Sequence, residues 1–240
     1  MINRFIFVYW DGEESNFLKY CIKKMKLINY GWTIFYLNKD NIYNFIDHEL
    51  IFNTSTLIQH KSDWFRLSLL EKFGGVWLDI STIFHNHIEN WVDINKNEVQ
   101  LFKSPKSVFK NAYENWAIAA PKSHPIITRW KKEFKYAFEI GFNEYKEETK
   151  YYIMQDVWSL MPYFTQHGCL LKILTEESEL LNLLSVTDSE QMPLKFLFDS
   201  NWDPYIFANI IEEYKNTCIC FTKIPGFFRH KLENINSFKH

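Results

Sequence analysis

Glycine is scarce in this chain, with seven residues in 240. A G-x-x-x-x-G-K-[ST] phosphate cradle has no place in it, which argues against a phosphoryl- or nucleotidyl-transfer enzyme of that type. Cysteine is scarcer still. Cys21, Cys169, Cys218 and Cys220 form no C-x-x-C pair and have no histidine at zinc-finger spacing. Cys218 and Cys220 stand too close in sequence for an easy bridge, so all four read as reduced thiols, which suits the cytosol. No apolar run approaches the roughly eighteen residues a membrane span needs. The opening MINRFIFVYWDGEE turns acidic too soon for a secretory leader, so neither a leader nor a span is expected. Net charge is only −2, which leaves no basic field for nucleic acid. Any bound anion must be met by a local cluster of cations. Repeats, low-complexity tracts and linkers are also missing, so residues 1–240 read as one domain.

A chain of this length buries about 70–75% of its unfolded surface and needs no staple to hold its core. Aromatic residues are plentiful at 18%, most of them expected in that core. FIFVYW (5–10) reads as a buried parallel strand ended by Asp11-Gly12. Residues 14–28 carry apolar positions at helical spacing, Gly31 breaks the helix, and WTIFYL (32–37) is a second strand. A short helix is expected around 41–48. The alternation of strand and helix marks an α/β fold with a largely parallel sheet. Residues 56–73 form a long helix, with Thr54, Ser55 or Thr56 as cap and Gly74 as its left-handed end. VWLDI (76–80) follows as a strand. Further strands are expected at 96–102 and 115–120, and helices at 124–142, 151–164 and 169–184. The aromatic-rich stretch 193–229 reads as short strands and turns.

In an open α/β sheet, ligands bind beyond the carboxyl ends of the strands. Asp79 closes the strand 76–80, which makes it a site candidate; capping a loop or pairing with a lysine is the plainer alternative. Upstream, Ser62, Asp63 and Arg66 interrupt a helix otherwise lined by Leu, Trp and Phe. Ser62 and Arg66 share a face, and Asp63 and Arg66 are neighbours one turn apart. A solvated Asp–Arg pair worth about 0.3–0.5 kcal/mol is the plainer alternative. However, Gly74-Gly75 permits a sharp reversal from this helix into the Asp79 strand, which would put both on one pocket.

The run K-S-D-x-x-R-x-x-L-L-x-x-x-G-G-x-W-x-D, from Lys61 to Asp79, resembles the core motif of the capsular-polysaccharide-synthesis glycosyltransferases. These are related to glycosyltransferase family 32. FVYWDG (7–12) and YGWTIFYLNKDNIYNFI (30–46) are similar to the opening segments of that family, and NWAIAAPKSHPII (115–127) resembles it more loosely.

The resemblance implies a GT-A-like fold, Rossmann-like, with a nucleotide-sugar-binding half over 1–110 and an acceptor-side half with its tail over 111–240. It implies a donor nucleotide-diphosphate sugar, UDP-linked, and Mn2+ or Mg2+ at Asp79 as Lewis acid on the leaving diphosphate. Tyr9 and Trp10 would lie near the base, and Ser62, Asp63 and Arg66 would border the donor. Where family 32 usually carries a second acid, this chain carries Ser81, as the capsular branch commonly carries a hydroxyl; that ligand is neutral and weaker. His230 and Lys231, in FFRHKL, would complete the metal or meet the phosphates. Asn115, Trp116, Gln155 and Asp156 are candidates for the sugar or acceptor side, with core packing and helix capping as their alternatives. His85 and His87 read as loop histidines. The implied activity is retaining transfer to a glycan or lipid-linked glycan, in the cytoplasm or at the cytoplasmic face of a membrane. The alternative is a catalytically weak or inactive sugar- or nucleotide-binding protein on the same fold.

Overall fold

The computed structural model describes residues 1–47, 50, 52, 56–103, 113–149, 162–213, 218–233, 235 and 238. Five strands, β1 (Phe5–Tyr9), β2 (Thr33–Leu37), β3 (Gly75–Leu78), β5 (Val99–Lys103) and β7 (Leu184–Asp188), run parallel in one sheet. The sixth, β6 (Tyr113–Ala120), lies antiparallel between β3 and β5, giving the order β2-β1-β3-β6-β5-β7. A separate ribbon pairs β4 (Thr82–Phe84) with β8 (Phe221–Lys223).

Two apolar layers cover the sheet. One contains α2 (Ile58–Phe73), α3 (Pro125–Ile140), α4 (Phe142–Thr149) and α5 (Thr165–Glu176). The other contains α1 (Asn16–Ile28), the β4-β8 ribbon, α6 (Lys195–Asp199), α7 (Pro204–Glu213) and α8 (Gly226–Leu232). Successive side chains of a strand point to opposite faces. Phe7 and Trp77 therefore enter the first layer, and Val76 and Leu78 the second. Each large side chain so buried contributes about 1.5–3 kcal/mol.

α2 has little amphipathic character because it is enclosed on all sides: Asp63 to Leu70 are buried without interruption. Leu57 takes its cap position with no side-chain cap bond, and Thr54 and Ser55 lie outside the described residues. At the other end Gly74 has φ 65° and ψ −172°, an extended positive-φ conformation open essentially to glycine alone, rather than the left-handed helical one expected. Gly75 follows at φ 105°, and a Cβ on it would lie 2.7 Å from the Phe5 carbonyl oxygen. The helix can therefore reverse directly into β3 and lay it against β1.

The early strands and the helices α1, α2 and α3 fall where the sequence places them, to within a few residues. The helix expected around 41–48 is a single 3-10 turn, Ile42–Asn44. The helix expected at 169–184 starts earlier and stops at Glu176, and a 3-10 turn then leads into the unexpected β7. The helix expected at 151–164 lies mostly outside the described residues. The stretch 193–229 holds one short strand, β8, and is otherwise chiefly helical among the described residues. Aromatic and β-branched residues raise strand propensity, but packing decides such segments. α7 opens on Pro204 and buries Phe207 and Ala208 while Tyr205 and Ile206 stay outside, a helical pattern.

Replacing Gly75 by Ala is expected to cost at least about 1–3 kcal/mol from backbone strain alone. Thermal unfolding should show a midpoint lowered by roughly 2–4 °C per kcal/mol for a domain of this size. An unchanged midpoint would contradict the geometry of this turn.

Candidate active site

β3 ends at Leu78, and the Asp79 backbone N–H donates to the Trp116 carbonyl at 2.8 Å, so Asp79 stands at the carboxyl edge between β3 and β6. Its side chain is 32% exposed. Two cations reach it. From α2, Arg66 Nη2 approaches Oδ1 at 3.4 Å; from β8, Lys223 Nζ lies 2.5 Å from Oδ2. The Trp77 indole N–H also faces Oδ1, at 3.4 Å. Burial raises the Asp79 carboxyl, but Lys223 and Arg66 outweigh it and hold the group below the usual carboxylate range.

Asp63 and Arg66 are not a surface pair, since both side chains are only 5% exposed. Arg66 Nη1 donates to Asp63 Oδ1 at 2.6 Å and to Gln166 Oε1 at 2.7 Å. Its guanidinium carbon sits 5.2 Å from the Trp77 ring centre, and its buried Nε has no hydrogen-bond partner among the described residues. Asn115 Nδ2 donates to Gln166 Oε1 at 2.7 Å and faces Asp63 Oδ1 at 3.2 Å. Gln166 Nε2 returns to the Asp63 carbonyl at 2.7 Å. Burial pushes the Asp63 carboxyl up to about 7, with Arg66 pulling it down and Asp79 adding to the rise. Asp63, Arg66, Asp79 and Lys223 thus form a row of alternating charge from the interior to the rim.

Of the residues expected at the site, the structure gathers Asp63, Arg66, Asp79, Ser81, Asn115 and Trp116. Ser62 sits half-buried on α2, next to Asp63. Trp116 is a core residue, stacked on Phe102 at 5.4 Å, with its ring 5.8 Å from Lys223 Nζ. Tyr9 packs on Phe65 and lines a cavity of about 280 Å³ beside the ends of β1 and β2, with Asp11, Lys39, Tyr43 and Lys61. Trp10 turns to the other layer, where the Arg229 guanidinium lies 5.0 Å over its ring. His230 and Lys231 are exposed on α8, and the His230 ring faces Glu233 at 3.7 Å. Gln155 and Asp156 lie outside the described residues. His85 and His87 serve the fold: His85 contacts the Thr222 hydroxyl at 2.8 Å, and His87 accepts from the Glu89 N–H.

Four members went unread in the sequence. Lys223 and Gln166 arrive from more than eighty residues away, and no local pattern marks them. Glu114 accepts the Trp116 indole N–H at 2.8 Å; burial lifts its carboxyl while Trp116 and Lys223 pull it down. His167 is pushed down to about 3 by burial, and its Nδ1 has no partner among the described residues.

The metal expected at Asp79, Ser81 and His230 is not matched by the donors present. A hard dication takes six or more oxygens, several of them anionic. Here one carboxylate already carries two cations, and the Ser81 hydroxyl donates to the Ile224 carbonyl at 2.9 Å while Lys223 donates to it at 3.3 Å. No group of three His, Cys, Asp or Glu able to hold a metal occurs among the described residues.

A charged cluster at the carboxyl edge of a mostly parallel sheet stands where open α/β proteins bind ligands. Residues 1–230 match the family described as capsular polysaccharide synthesis protein, and the chain belongs to that family. Over 156 residues it is 26% identical to the O-glycosyltransferase braB of Annulohypoxylon truncatum, covering 54% of this chain and 36% of that protein. The fold is shared with a glycosyltransferase involved in glycosylation of the major capsid of PBCV-1. That likeness has a TM-score of 0.51 and 12% identity, over 95% of this chain and 96% of that one.

Arg66→Ala would leave two buried or half-buried carboxylates without their shared cation, at a cost of about 3–5 kcal/mol. Arg66→Met with Asp63→Asn removes the inner pair together and is expected to recover part of that loss in a denaturant titration. Equal stability of Arg66→Ala and the natural chain would refute the interior placement of this pair.

Proposed function

We propose that this protein is a glycosyltransferase that moves a sugar from a nucleotide-diphosphate donor, a UDP-sugar, to a glycan or lipid-linked glycan acceptor with retention of anomeric configuration. The observation that carries this reading is Asp79 at the carboxyl edge of β3, with Arg66 and Lys223 on either side. Two cations beside an open rim suit a diphosphate. Family membership and the glycosyltransferase relatives support the same reading. The cavity beside Tyr9 lies at the end of β1, the strand next to β3, and its tyrosines suit a nucleoside.

In this proposal the bond from the anomeric carbon to the β-phosphate oxygen breaks, and its electron pair stays on the diphosphate. The acceptor oxygen bonds the anomeric carbon on the same face, and its proton passes to the departing phosphate oxygen. The chain contributes placement and charge. Lys223 stands where the leaving diphosphate gains charge, Arg66 holds Asp79 from behind, and Glu114 and Asn115 border the sugar side.

UDP release measured with UDP-glucose, UDP-galactose and UDP-N-acetylglucosamine, with and without Mn2+, tests the reaction. One donor should be turned over, and Asp79→Asn should lower the rate by about a hundredfold or more. UDP bound tightly with no donor ever turned over would assign a binding protein instead.

We further propose contact with a membrane surface. No helix among the described residues is long and apolar enough to cross one. Exposed Phe227, with the Trp202 ring tilted against it at 5.5 Å, shares its helix with Arg229, His230 and Lys231, and Tyr205 and Ile206 are exposed on the preceding helix, an interfacial combination of aromatic and basic groups. Sedimentation with vesicles of phosphatidylglycerol, reduced in Phe227→Glu, is the expected result; protein left in the supernatant counts against it.

A further inference from the structure

We propose that the Lys223 ammonium takes the place of a divalent cation at this site and itself meets the donor diphosphate. The inference rests on the transfer reaction above and assigns its charge-neutralising group. Lys223 Nζ touches both residues that would have offered oxygen to a metal, Asp79 Oδ2 at 2.5 Å and Ser81 Oγ at 3.3 Å. A dication at such a site is held by one or two carboxylates together with waters and the substrate's own phosphates. Here the one carboxylate is already engaged by Lys223 and Arg66, and the Ser81 hydroxyl by the Ile224 carbonyl, so the position a metal would take is occupied by the ammonium. An aspartate at 81 would leave Lys223 between two carboxylates.

The ammonium is held by backbone register, not by chance contact. Thr82 pairs with Lys223 across the β4-β8 ribbon. One residue on, the Ile224 N–H donates to the Ser81 carbonyl at 2.9 Å, and the Ser81 hydroxyl donates back to the Ile224 carbonyl at 2.9 Å. This double clasp closes the ribbon at the D-I-S turn. The Lys223 side chain is 12% exposed, and its ammonium lies 5.8 Å over the centre of the Trp116 ring. An ammonium has three N–H donors. Two face Asp79 and Ser81, and the third is left for a phosphate oxygen. In the half-buried setting its charge is screened less than on the surface.

During transfer the glycosidic C–O electron pair moves to the β-phosphate oxygen, and Lys223 stabilises that charge while keeping its proton. The acceptor proton goes to the phosphate. Lys223 is the catalytic residue of this step, and Asp79 positions it.

Calorimetry in EDTA with UDP, GDP, ADP and CDP, and with UMP and uridine as controls, tests the assignment together with donor turnover in EDTA. The natural chain should bind its nucleoside diphosphate without added metal, and Mn2+ should change the affinity by less than about threefold. Lys223→Met should weaken the diphosphate by about tenfold or more. It should leave uridine unchanged and lower kcat more than it raises KM. Lys223→Arg should restore binding. If Lys223→Met is unstable, Asp79→Asn with Lys223→Met removes both charges together and should lose the diphosphate in the same way. Binding or turnover that appears only with Mn2+ or Mg2+, or a Lys223→Met protein that binds the diphosphate normally, overturns the role of Lys223 alone. Failure to bind any nucleoside diphosphate overturns the transferase reading with it.

Discussion

The carboxylate of Asp79 has a cation from each layer of the protein, Arg66 from the helical side and Lys223 from the ribbon side. At about 4 Å and an effective dielectric near 20, one such pair interacts by about 4 kcal/mol, and desolvation takes back much of it. Its importance is therefore positional. At this strand end side chains from both layers reach the same carboxylate, one at each oxygen. Asp79 fixes two segments, α2 and β8, that are otherwise separated by the thickness of the sheet.

Everything around this row serves to keep it in register. α2 is buried on all sides, so Asp63 and Arg66 cannot turn to solvent, and Gln166 and Asn115 use the donors and acceptors that remain. The Gly74-Gly75 reversal sets the distance from Arg66 to Asp79. On the other side, a one-residue slip of β8 against β4 would exchange Lys223 for a neighbour facing the opposite way. The Ser81–Ile224 clasp opposes that slip.

Under the proposed transfer, the same row lets a single acid suffice where a diphosphate would bind. The acids and cations alternate along the row, and Lys223 at its end is 12% exposed. On that proposal a donor diphosphate would meet a cation already oriented by Asp79 and Ser81, so little reorganisation would remain for the reaction itself.

The sequence alone determined the α/β alternation, the position of Asp79 at a strand end, the glycine reversal and the family motif from Lys61 to Asp79. Each is a local property: hydrophobic period, glycine conformation, spacing along one helix and one strand. The same local reasoning put strands where α6, α7 and α8 stand, because aromatic residues favour strands in isolation and only their packing partners reveal the helical face. Lys223, Gln166 and Glu114 were illegible for a related reason. A lone lysine in FTK or glutamine in TQHG has no periodicity to mark it. Tertiary structure alone decided that β8 returns to β4 and that Gln166 of α5 reaches Asp63 and Arg66 of α2, because those contacts join segments about a hundred residues or more apart in the chain, and a charge gains its partner only when the layers close.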